Sequence, residues 1–91
     1  MHEERLFAQL RGALERAADG QSGRLVVVRV WIGALSHLTE ERLREAWPAL
    51  TQGGPAAGAT LRVEVSSDLA HPDAGTVVLV SVDLADEEQL P

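Results

Sequence analysis

The chain has 91 residues, enough for one small domain with a modest core. Its 45% hydrophobic content is that of a folded protein, while a formal charge of −6 and only 3% aromatics argue against a nucleic-acid or anionic-membrane partner. With no cysteine, disulfides, thiolate zinc sites, iron–sulfur clusters and cysteine nucleophiles are excluded. All 8 basic residues are arginine, and Ala, Gly and Val abound, as in a GC-rich bacterial genome. The start is acidic and amphipathic, unlike a secretory leader, and no apolar run nears the ~20 residues of a membrane helix. A cytoplasmic protein is expected.

The first predicted element is a helix over about Glu3–Ala18. Leu6, Leu10, Ala13, Leu14 and Ala17 form its apolar stripe, with Phe7 at the edge. Glu3 and Glu4 suit the helix N-terminus, and Gly20 in the run 19–23 is a left-handed cap. Arg24–Ile32 is β-branched and nearly continuously apolar, which predicts a central or well-covered strand. Alternation puts Val26, Val28, Val30 and Ile32 on one face and Leu25, Val27, Arg29 and Trp31 on the other, and Gly33 breaks the pattern. A second helix is predicted from its N-cap Thr39 to Leu50, burying Leu43, Ala46, Trp47 and Leu50, with Pro48 expected to kink or stop it. Residues 51–58 read as a loop. Thr60–Ser66 is a strand with Leu61, Val63 and Val65 inward and Arg62 and Glu64 outward. A turn region, Asp68–Gly75, leads to a third strand, Thr76–Asp83, with Val78, Val80 and Val82 on one face. The expected fold is α+β: a single small domain in the order α-β-α-β-β, with a three-stranded sheet packed against two helices. The first two strands should be joined by a right-handed crossover and the last two by a hairpin. Residues 1–84 form the domain, and 85–91 an acidic tail.

The opening Met1-His2-Glu3 carries the chemistry. It sets an imidazole and a carboxylate beside a terminal amine, and His2 closes a chelate ring with its own amide nitrogen. Nitrogen donors in a tetragonal set suit nickel(II) or copper(II). Most histidines near a chain start bind nothing, so the remaining sequence has to weigh in.

It does so through a series of short motifs in order. Met1-His2-Glu3 and an amphipathic helix are followed by a valine-rich strand closing in Ile32-Gly33-Ala34-Leu35-Ser36. A helix with Leu43 comes next, then Thr51, then Gly58-Ala59-Thr60-Leu61 opening a strand. On these motifs, which run to about Ser66, the chain resembles HypA, also called HybF, the nickel metallochaperone family of hydrogenase maturation. The family's cysteine-rich zinc domain would fall between the last two strands. Here that interval is 67–75, with His71 but no cysteine, so a zinc site of that kind is not expected.

The resemblance implies Ni(II) bound at Met1, His2 and Glu3, through the His2 ring, backbone nitrogens and the terminal amine. Amide nitrogens bind when deprotonated, so affinity should fall in acid. The Glu3 side chain is open between ligation, holding His2 in place and starting the helix. His37 or Glu40 would complete the site in some family members. Their ordinary readings are a solvated loop histidine and a charge at a helix N-terminus. His71-Pro72-Asp73 copies a co-chaperone tripeptide, but between two strands it reads as turn chemistry. Ser66 and Ser67 lack an activating base, and no phosphate loop or acid pair is present, so no enzyme is expected.

The expected function is a nickel-binding accessory protein for nickel–iron hydrogenase maturation. It would deliver Ni(II) to a maturation GTPase or to the hydrogenase large subunit. The alternative is a HypA-derived interaction module that no longer transports metal. Exposed sheet edges also allow a homodimer.

Overall fold

Five elements form in the expected order: α1 (His2–Ala18), β1 (Arg24–Ile32), α2 (Glu40–Thr51), β2 (Thr60–Val65) and β3 (Val77–Ala85). The computed structural model describes residues 2–20 and 24–85, and of His2 its backbone alone. The predicted loop residues 21–23 and tail residues 86–91 lie outside it. The α+β class stands: two helices lie against a three-stranded mixed sheet.

The strand order is β2-β1-β3, with β1 parallel to β2 and antiparallel to β3. The predicted pairing of the last two strands is therefore wrong, since each pairs with β1. Two physical causes combine. The 66–76 connection is well beyond the ~2–5 residues of a tight hairpin. The most apolar strand also gains most from the centre, where neighbours satisfy both of its edges. The connection instead crosses the end of β1, where Gly33 N–H donates to Thr76 O at 2.9 Å and Leu35 N–H to Ala74 O at 2.7 Å.

One core holds the layers together. Leu6, Leu10 and Leu14 of α1 and Leu43, Trp47 and Leu50 of α2 meet Leu25, Val28, Val30 and Ile32 of β1. The face assignments shift at two irregularities in the β1–β3 ladder, between Leu25 and Val27 and between Arg29 and Val30. Each flips the side-chain parity beyond it. Leu25 is thereby buried with Val28, Val30 and Ile32, while Val26 is only half-buried. On β3, Val77 is buried and Leu79 and Val82 pack on the core, whereas Val80 is 58% exposed. The expected Val78, Val80 and Val82 face does not form.

Val65 also departs from expectation, being 54% exposed. It is the last residue of an edge strand, which has a neighbouring strand on one side only. Pro48 neither stops α2 nor ends it early: the helix continues to Thr51. Burial of Trp47, Leu50 and Thr51 offsets the missing backbone bond, and Thr51 Oγ1 donates to Trp47 O at 2.8 Å. At the other end, Thr39 caps α2 as expected, its Oγ1 accepting from Arg42 N–H at 3.1 Å.

Candidate metal centre

The backbone of His2 opens α1, so the residues expected to hold metal stand at a helix N-terminus. The first N–H groups of a helix have no intrahelical acceptor. Deprotonating and ligating the His2 and Glu3 amides therefore breaks no helical hydrogen bond. The same end carries the positive pole of the helix dipole, which opposes a cation. A metal bound there would rely on its donor atoms against the surrounding field. Met1 and the His2 side chain lie outside the described residues.

Glu3 is engaged elsewhere. Its carboxylate takes both faces of the Arg42 fork: Arg42 Nε donates to Oε2 at 2.9 Å, and Nη2 lies 2.9 Å from Oε1. Arg42 also lies 5.7 Å over the Phe7 ring and 3.9 Å from Glu45. These contacts pin the start of α1 to the first half of α2. Sequence reasoning missed Arg42, because no local spacing links residues on different helices. With both side chains about 40% exposed, the pair adds at most about 1 kcal/mol. Glu3→Gln should accordingly lower stability by no more than about 1 kcal/mol in a urea titration.

The other residues weighed in the sequence are Glu40, His37 and His71. Glu40 stands in the first turn of α2, its ordinary reading, and also binds Arg44 Nε at 2.9 Å across one helical turn. His37 is exposed in the β1–α2 connection, at a φ of 65°. Before it, the buried Ser36 Oγ donates to Gly33 O at 2.8 Å and accepts from Leu38 N–H at 3.3 Å, which fixes the turn. His71 belongs to the turn region as expected: its Nδ1 accepts from Asp73 N–H at 2.9 Å, and its ring meets Trp31 at 4.7 Å. Among the described residues no three His, Asp or Glu side chains converge on a point. No helix among them is long and apolar enough to cross a membrane.

A small mixed sheet under two helices, the first of them opening at His2, frames the candidate site. The chain belongs to the HypA family, described as hydrogenase/urease nickel incorporation metallochaperones, whose sequence profile matches residues 1–71. The match takes in α1, β1, α2 and β2 and ends in the turn before β3. No curated protein sequence matches the chain. The family's role is nickel incorporation into hydrogenase or urease.

Proposed function

We propose that this chain is a nickel-handling accessory protein that binds Ni(II) as cargo at Met1, His2 and Glu3 and passes it to a maturation partner. The observation that carries the reading is the family match beginning at residue 1. The donors are the His2 ring and the amide nitrogens of His2 and Glu3, with the terminal amine of Met1. The Glu3 carboxylate stays with Arg42 and helps to position the helix start. The receiving partner is a hydrogenase maturation GTPase or the hydrogenase large subunit, in the cytoplasm. The working unit runs to the end of β3 at Ala85, one residue beyond the expected 84, and the sequence after it is acidic.

Titration calorimetry with Ni(II) tests this. One equivalent should bind near neutral pH. His2→Ala, or residues added before Met1, should weaken binding at least ~tenfold, as loss of a ligand does. Glu3→Gln should change affinity less than ~threefold, since it keeps the amide nitrogen. Binding should decline as pH falls, because protons compete for the imidazole and the amides. Binding no tighter than about millimolar would sink the proposal. That result would favour an interaction module without metal transport, a reading supported by the commitment of the Glu3 carboxylate to Arg42.

A further inference from the structure

Among the described residues β2 is an edge strand with no strand on its outer side, and its sequence matches a second copy of itself. Ser66 N–H donates to Ile32 O at 2.9 Å, so in the parallel β1–β2 ladder the peptide groups of Thr60, Arg62 and Glu64 turn toward β1. Those of Leu61, Val63 and Val65 turn outward. Arg44 Nη1 reaches the outward Leu61 carbonyl at 3.0 Å, which leaves that oxygen a second lone pair.

We propose that two copies of the chain pair through β2, antiparallel about a twofold axis at Val63, to make one continuous sheet across the dimer. In that register Val63 exchanges both backbone hydrogen bonds with Val63 of the second copy. Leu61 does the same with Val65 of the second copy, which covers the exposed Val65 side chain. Arg62 then faces Glu64 of the second copy, and Glu64 faces Arg62, at non-hydrogen-bonded positions ~4.5 Å apart at Cα, where side chains are closest. Arg62 and Glu64 are both exposed, and neither has an ion-pair partner among the described residues.

Charge also selects the register. Moving the axis to Arg62 sets arginine against arginine, and moving it to Glu64 sets glutamate against glutamate. An interface that repeats one patch on both subunits must be self-complementary, and this strand is so in one alignment. The other sheet edge, β3, has no such pattern: its one charge, Asp83, is held by Arg29 at 3.2 Å.

Sedimentation velocity of the whole chain, without metal, from ~1 µM to ~1 mM tests the dimer over the range of weak to moderate affinities. The wild type should shift from monomer to dimer as concentration rises. Arg62→Glu and Glu64→Arg each set two like-charge pairs across the axis and should weaken the dimer at least ~tenfold. Mixed in equal amounts, the two variants should dimerise again, since each then supplies what the other repels. Both changes are on the exposed face of β2, and far-UV circular dichroism should show both variants folded. A wild type that stays monomeric throughout overturns the proposal. So does a dimer that both variants retain, or a mixture that fails to restore it. The nickel titration reads the donors of residues 1–3 and not the β2 edge, so the two proposals stand or fall separately.

Discussion

Gly33→Ala should destabilise the fold by about 3 kcal/mol, at the upper end of what overpacking a core costs. Gly33 is buried where β1 leaves the sheet. A Cβ there would meet Ala74 O at 2.3 Å, Ala74 C at 2.6 Å and Asp73 O at 2.7 Å. All three are backbone atoms, so no side chain can swing away. The 73–75 turn would have to move, and the bonds from Gly33 N–H to Thr76 O and from Leu35 N–H to Ala74 O would move with it. The turn sets the entry to β3, so the loss should appear as a lower urea midpoint with an unchanged slope. Gly75→Ala is the control. Its Cβ would meet nothing within 4 Å, and its stability should stay within about 0.5 kcal/mol of wild type. Equal effects of the two changes would show that close approach at Gly33 does not matter.

Trp47→Ala should cost about 4 kcal/mol, a large share of the ~5–15 kcal/mol that holds a domain together. Trp47 is 8% exposed and fills the junction of α2 with the start of β2. Its Nε1–H donates to Ala59 O at 3.2 Å. Truncation leaves a cavity and removes the donor for a carbonyl beside the buried Ala59 side chain. Trp47→Phe separates the two effects. It keeps most of the apolar volume and loses the hydrogen bond, so about 1–2 kcal/mol is expected. Far-UV circular dichroism in urea reads both changes alike, whereas fluorescence would be left to Trp31 alone. A Phe variant as damaged as the Ala variant would shift the weight from packing to the hydrogen bond. The turn beyond Pro48 depends on this residue, and Trp47→Ala should also fray α2 after Ala46.

Element positions were legible because each carries a strong local signal. Thr39 before Glu40 and Glu41 marks the start of α2, and the run from Leu25 to Ile32 marks a covered strand. Strand pairing was less legible, because it depends on connections over long sequence separations. The hairpin expected between β2 and β3 lost to the affinity of both for β1. Strict alternation failed at the two bulges for a related reason: a bulge is a property of two strands in register, and either strand alone reads as regular. The proposed site rests on a sequence motif, Met1, His2 and Glu3. Its neighbour Arg42 was not legible, since only the packing of α1 on α2 brings it to Glu3.

The family match stops at His71, but the sheet does not. β3 supplies the antiparallel neighbour of β1 and places Val77, Leu79 and Val82 on the core. The boundary of recognisable ancestry thus falls inside the cooperative unit. The order of synthesis sharpens the consequence. The central strand is made early, and its antiparallel partner comes last. Until residues 77–85 emerge, a nascent chain holds one bare apolar edge, and the helices have an incomplete floor to pack on. Completion of the sheet in a nascent chain therefore waits for the strand that the family signature does not cover.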